Sequence, residues 1–195
     1  MLESYPLPQL AGQRLPLQSL QQPWYRVFQT EHEPLYFGRA VLHRFDSPDS
    51  TYGVLYAGSD LHCAFVETFG HKTGRKRVKR SELQAASMAI IESSRPRSLV
   101  DLTGAGLAQL GADNRLCDGD YRNAQRWSEA FYHHTNQPDG VYYRSRCDPS
   151  RFCMALFDRA GAVLRVAKRI PLEPSNPPVW LADVLETYEF SFLDD

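Results

Sequence analysis

Short runs in which apolar and polar residues alternate with a period of two are interspersed with two longer runs at helical spacing. Residues 24–28 (Trp-Tyr-Arg-Val-Phe) are aromatic and β-branched and predict a first strand. Residues 51–57 predict a second, with Tyr52, Val54 and Tyr56 on one face and Gly53, Leu55 and Ala57 on the other. A helix follows at once, with Ser59 as its expected N-cap and Gly70 at the C′ position. Leu61, Ala64, Phe65 and Phe69 form its apolar stripe, and Cys63 and Val66 fall on other sides, so the helix is expected to be largely buried. Glu67 lies within it, and a carboxylate in such a place needs a partner.

Further along, residues 81–93 read either as a helix capped by Ser81 or as a segment ending in a strand at 88–91. Residues 98–102 predict a strand. Residues 120–134 predict an amphipathic helix with Tyr121, Ala124, Trp127 and Phe131 at helical spacing. Beyond the turn signal at 136–140, strands are expected at 141–145 and 153–157, and the turn at 158–161 leading into 163–166 reads as a hairpin. Strands and helices mix without regular alternation, which gives an α+β class with one mixed domain. Pro6, Pro8, Pro16 and Pro23 break any period in residues 1–23, read as an N-terminal Gln/Pro-rich arm, extended or with a short helix. The domain is expected over 24–170, with 171–195 a C-terminal extension whose end is acidic (Glu186, Glu189, Asp194, Asp195).

Composition narrows the class. The 195 residues are 43% apolar and 23% charged, with a formal net charge of -1, so binding to nucleic acid by charge alone is excluded. The one basic run, residues 74–80, reads as a solvated loop or helix entry. Mean hydropathy is -0.44, no apolar run approaches the roughly 18 residues of a membrane span, and residues 1–6 lack the features of a signal peptide. A cytoplasmic protein with no membrane association is expected. The four cysteines (Cys63, Cys117, Cys147, Cys153) are too few and scattered for a disulfide scaffold; Cys63 and Cys153 sit in apolar runs.

The familiar phosphate-loop, dinucleotide, zinc-protease and nucleophile-elbow motifs are absent. His133 and His134 point about 100° apart on a helix, which disfavours a shared metal. His62, Glu67 and His71 leave a metal site as a minor reading. The unusual features are the enclosed Glu67, the strand tyrosines before it, and arginines in or beside apolar strands.

Arg26 after its aromatic pair, the Arg44-Phe45-Asp46 loop, and the run 53–57 leading into Ala64-Phe65-Val66-Glu67-Thr68 resemble the first half of a RES domain. Residues 139–146, with Ala155-Leu156-Phe157-Asp158 beyond, resemble the second half; segments 99–104 and 125–128 fit between them. The resemblance covers about 24–166. It implies a fold similar to ADP-ribosyltransferases of the diphtheria-toxin kind and the toxin role in a bacterial toxin–antitoxin pair. The implied activity is NAD+ degradation at the nicotinamide–ribose bond by hydrolysis or phosphorolysis. Carried over, the catalytic residues are Glu67 and Arg44 and the NAD-binding residues are Arg26, Tyr56 and Ser145, with no metal. No cofactor is implied: NAD+ is the substrate and water or inorganic phosphate the acceptor. The implied partner is an Xre-type antitoxin protein that blocks the site, and DNA is reached only through it. A protein ADP-ribosyltransferase on the same fold, and a non-enzymatic binding module on a degenerate one, are the alternatives.

The residue types suit that chemistry. Loss of nicotinamide builds positive charge on the ribose, and a fixed carboxylate stabilises it, the more so at low dielectric. Arginine forks match a diphosphate. Tyr56 is placed to stack on a ring, and Ser145 to orient ribose or amide by a hydrogen bond.

Overall fold

A computed structural model describes residues 10, 12–70 and 76–193. In chain order the elements begin with β1 (Leu17–Leu20), β2 (Trp24–Gln29), β3 (Val54–Gly58), α1 (Leu61–Phe69), β4 (Arg77–Lys79) and α2 (Arg80–Gln84). The middle of the chain forms β5 (Ala86–Ser93), β6 (Arg97–Leu102), α3 (Gly104–Gln109), α4 (Arg115–Asp118) and α5 (Tyr121–Tyr132). β7 (Gly140–Arg144), β8 (Phe152–Phe157), a 3-10 turn (Asp158–Val163), β9 (Leu164–Pro171), α6 (Val179–Thr187) and β10 (Ser191–Leu193) complete it. Eight strands form one mixed sheet in the order β1-β6-β7-β8-β3-β2-β5-β9; only β6 and β7 run parallel. β4 and β10 make a separate parallel ribbon. No helix among the described residues is long and apolar enough to cross a membrane.

The period-two pattern is realised side by side in the central strands. Val54 of β3, Val141 and Tyr143 of β7, and Ala155 and Phe157 of β8 join Trp127 and Phe131 of α5 in one core. Their neighbours Leu55, Tyr142, Met154 and Leu156 face the opposite core with Trp24 and Ile91. A third core lies around α1, where Phe65 meets Met88 of β5 and Leu181 and Val184 of α6.

Several expectations are amended. The cap of α1 is Asp60, whose carboxylate accepts from the Cys63 N–H at 2.8 Å; Ser59 instead donates to Asp60. Gly70 has φ -86, not the left-handed C′ conformation. Glycine is needed there for space, since a Cβ would lie 2.4 Å from the Val66 carbonyl oxygen. Residues 81–93 resolve into the end of the short helix α2 and the strand β5, paired on both sides. The hairpin expected after residue 157 does not form. Both edges of β8 are taken by β7 and β3, so the 3-10 turn carries the chain to the free edge of β5, where β9 pairs. The arm's described part supplies β1 at the other sheet edge, with Leu10 and Leu15 buried in the core. The last segment, likewise, supplies α6 and β10. Residues 1–9 and 11, His71, Gly74 and Arg75 of the basic run, and Asp194 and Asp195 lie outside the described residues.

One feature of the sheet positions the cleft residues. β2 and β3 meet through a single registered pair, Tyr25 opposite Gly58, whereas β3 and β8 share five pairs and β2 and β5 six. Beyond that pair the two strands part. Gly58 also receives α1: a Cβ there would lie 2.8 Å from the Ala64 nitrogen and 2.9 Å from the Cys63 Cβ. Gly58→Ala is therefore expected to destabilise the protein by about 2 kcal/mol through overpacking, read as a lower urea midpoint with an unchanged slope.

Candidate active site

The parting of β2 and β3 opens a cleft of about 320 Å³, lined by Arg26 and Val27 on one side, Tyr56 and Ala57 on the other, and Glu67 from α1. Arg44, Arg146 and Cys147 complete its charged and polar wall.

Glu67 is half-buried, more open than the sequence pattern implies. Its Oε1 accepts from the Ser145 hydroxyl at 2.5 Å and from the Cys147 N–H at 3.3 Å. Ser145 stands one residue past the end of β7 and is 2% exposed. Its oxygen accepts from the N–H groups of Cys147 at 3.2 Å and Asp148 at 3.0 Å, a serine turn closed on the following backbone. With its lone pairs occupied by two amides, the hydroxyl has one proton to give, and it goes to Glu67. That arrangement suits an ionised carboxylate. The Cys147 thiol also hydrogen-bonds the Glu67 carboxylate. Cys147 is half-buried beside it, and burial, then the Glu67 charge, push its thiol up to about 12.

A second cluster holds the loop that carries Arg44. Asp46 is 1% exposed. Its Oδ2 accepts from the N–H groups of Leu42 at 3.0 Å and His43 at 2.9 Å; its Oδ1 accepts from the Tyr56 hydroxyl at 2.9 Å. The same Tyr56 oxygen accepts from the Phe45 N–H at 2.9 Å. From the other side, Gln125 of α5 donates to the His43 carbonyl at 3.0 Å and Ser128 to the Phe45 carbonyl at 2.6 Å. This clamp tolerates Val41 at φ 58, a β-branched residue in the left-handed region that costs on the order of 1–2 kcal/mol. Arg44 is thereby set with one nitrogen on the Gly119 carbonyl at 2.8 Å and its guanidinium 4.6 Å from the Tyr121 ring centre.

Arg26 lies where β2 leaves β3. Its Nη1 donates to the Tyr36 carbonyl at 3.2 Å, and burial lowers its pKa. Among the described residues it has no carboxylate partner, although a partly desolvated guanidinium favours an anion.

Of the five residues expected from sequence, the structure brings Arg26, Arg44, Tyr56 and Glu67 to the cleft wall and sets Ser145 behind Glu67, outside the lining. The Tyr56 hydroxyl serves the Arg44 loop; burial and the neighbouring Asp46 carboxylate keep it protonated, with its pKa well above the ordinary phenol value. Asp46, the Cys147 amide, His43 and Arg146 were not assigned from sequence. Asp46 carried a signal, an acid two residues after Arg44 in a turn-forming stretch, but its acceptor role depends on Tyr56 and on two folded-back amides. No group of acidic, His or Cys side chains among the described residues could hold a metal ion.

The parted sheet of this mixed α+β domain thus brings a held carboxylate and two arginines, Arg26 and Arg44, to one cleft. Residues 23–180 match the RES domain, and the chain belongs to that family. A probable toxin, y4kH, of Sinorhizobium fredii is 33% identical over 93 residues, covering 47% of this chain and 72% of that protein. The fold is similar to that of a chain in the crystal structure of the M. tuberculosis MbcT–MbcA toxin–antitoxin complex. The TM-score is 0.65 at 15% identity over 82% of this chain and 88% of that one.

Two outcomes follow from the clusters. Asp46→Ala leaves two amides and a phenol without their acceptor, and is expected to cost about 2 kcal/mol of stability with faster amide exchange at Leu42 and His43. Cys147, protonated at neutral pH, is expected to alkylate at least about tenfold more slowly than a free thiol at pH 7.5, with the rate rising toward pH 12.

Proposed function

We propose that this chain is the toxin of a toxin–antitoxin pair and that it degrades NAD+ at the nicotinamide–ribose bond. The observation that carries the reading is the Glu67 carboxylate, fixed by Ser145 and Cys147 on the wall of a cleft that Arg26 and Arg44 also line. Family membership and the probable toxin among its relatives support the biological role. The fold kinship to diphtheria-toxin-type ADP-ribosyltransferases is part of the same proposal.

In the reaction the bond from ribose C1′ to the pyridinium nitrogen breaks and its electron pair leaves with nicotinamide, which becomes neutral. The ribose acquires oxocarbenium character facing the Glu67 carboxylate, whose negative charge is already in place. An oxygen of water or of inorganic phosphate then bonds to C1′, and one proton is released in either case. Arg26 and Arg44 bind the diphosphate, Arg26 exchanging a single carbonyl contact for a charged one. Tyr56 forms the wall against the ring being expelled. Ser145 acts through Glu67, so it orders the reactive carboxylate instead of gripping the dinucleotide.

An unrestrained activity of this kind would deplete the cell's NAD+, so an Xre-type antitoxin that blocks the cleft is the expected partner, with DNA contacted by the antitoxin. Tyr36 and Leu42, 60% and 68% exposed, lie beside Arg26 and His43 and offer such a protein an apolar rim.

Purified protein freed of any partner is expected to release nicotinamide from NAD+, with ADP-ribose or its phosphate ester as the second product by mass spectrometry. Glu67→Ala is expected to lower kcat by at least about 100-fold, and Arg26→Ala to act mainly by raising KM. Folded wild-type protein that leaves NAD+ intact with and without phosphate would exclude the degradation reading; transfer of ADP-ribose to an added protein would redirect it.

A further inference from the structure

The segment beyond residue 180 lies outside the matched family region, yet it is wired to the carboxylate in the cleft. Leu181 and Val184 of α6 are fully buried in the core around α1, which places the end of α6 beside the turn that follows β7. There the Tyr188 hydroxyl donates to Asp148 Oδ2 at 2.7 Å and accepts from Arg151 Nε at 2.8 Å. Asp148 is the residue whose N–H donates to Ser145 Oγ, and Ser145 in turn donates to Glu67. Arg151 closes the figure. Its Nε also reaches Asp148 Oδ2 at 3.0 Å, and its Nη1 lies 2.8 Å from Asp60, the cap of the helix that carries Glu67.

We infer that Tyr188 is a positioning residue for Glu67, acting through Asp148 and Ser145, so that the C-terminal segment is part of the site's machinery.

The inference rests on the reading of Glu67 as the reactive carboxylate. A phenylalanine at 188 would keep the edge contact with His62, whose ring centre lies 6.0 Å away; what tyrosine adds is the hydroxyl that bonds Asp148 and Arg151. Each oxygen of Asp148 has its own holders. Oδ1 takes the N–H and hydroxyl of Ser150, and Oδ2 takes Tyr188 and Arg151. Burial works to raise the Asp148 carboxyl, but the hydrogen bonds from Ser150, Tyr188 and Arg151 outweigh it and hold it down at about 2. The carboxylate therefore stays charged and fixed throughout the neutral range. A separate tie, His62 Nε2 to Asp183 Oδ2 at 3.0 Å, binds α6 to α1 directly, so loss of the Tyr188 hydroxyl leaves the helix docked. The turn and the carboxylate it orients are what loosen. A displacement well under 1 Å at a reacting carboxylate is enough to cost rate, because stabilisation of the forming charge depends on distance.

The test is Tyr188→Phe, made in the wild-type chain and in a Ser145→Ala chain. It is read by NAD+ turnover, by amide exchange at Cys147 and Asp148, and by thermal unfolding. In the wild-type background kcat is expected to fall about 10-fold with KM held within about 2-fold. Exchange at the two amides should quicken, with Tm moving by no more than about 4 °C. In the Ser145→Ala background the further loss should be clearly smaller, since the Ser145 leg is cut and only the Cys147 amide still joins the turn to Glu67. An equal loss in both backgrounds overturns the inference, as does an unmoved kcat, unmoved exchange, or a general drop in Tm with exchange rising everywhere. Should the wild-type chain not turn over NAD+ at all, the proposed activity fails while the relay is still judged by exchange. Unchanged protection at Cys147 and Asp148 then overturns it, and loss of protection confined to that turn supports it.

Discussion

The sheet is continuous in hydrogen-bond order, but its fifth and sixth strands are joined by one pair, Tyr25 opposite Gly58, and the site depends on that constraint. Fully paired strands would fill the space with backbone and alternate their side chains above and below a closed surface. Parting them leaves an opening between two rigid edges, each secured on its far side: β2 by six pairs with β5 and β3 by five with β8. Arg26 and Tyr56 can therefore look into one cleft from opposite banks with little motion of either. Gly58 makes the junction possible, because it lets the first turn of α1 lie directly on the last residue of β3. Glu67, two turns along that helix, is thus placed by the point at which the sheet parts.

Two hydrogen-bond clusters convert this opening into a chemical environment. One centres on Asp46, a buried acceptor for two amides and a phenol, and fixes Arg44 on its loop. The other centres on Ser145, whose oxygen collects two amides and whose proton goes to Glu67. Both follow one principle: a buried polar group is tolerable only when its hydrogen bonds are met, and meeting them orders the neighbouring functional side chain. The charged groups that reach the cleft are left incompletely partnered by comparison. Arg26 and Arg44 each donate to one carbonyl among the described residues, which leaves their guanidinium groups capacity for an anion.

Much of this was legible in the sequence because it is local. Alternation found the two faces of β3, apolar runs found β7 and β8 as strands, and helical spacing found α1 and α5, since each signal lies within one element and its burial. The carboxylate in an apolar helix was visible for the same reason. Sheet order was not, because the turn after β8 reads as a hairpin unless one knows that both edges of β8 are occupied. Asp46 and Tyr188 were missed for a related reason. Each acts through a partner brought near only by folding, Tyr188 across forty residues of chain to Asp148. Ser145 was identified as a site residue, yet its direction of action, toward Glu67, depends on the turn that encloses its oxygen. The terminal segments looked peripheral because their proline breaks and acidic residues carry no strong period, while Leu15, Leu181 and Val184 are core residues.

As proposed, the parted strands hold a dinucleotide with its scissile bond against Glu67. The decisive measurement is a crystal structure of the Glu67→Gln protein with NAD+, since the substitution keeps the shape and removes the charge. The diphosphate is expected on Arg26 and Arg44 and ribose C1′ within contact of the residue 67 side chain, with Ser145 still bonded to it. A dinucleotide bound elsewhere, or a cleft left empty at saturating NAD+, would overturn the proposed binding mode.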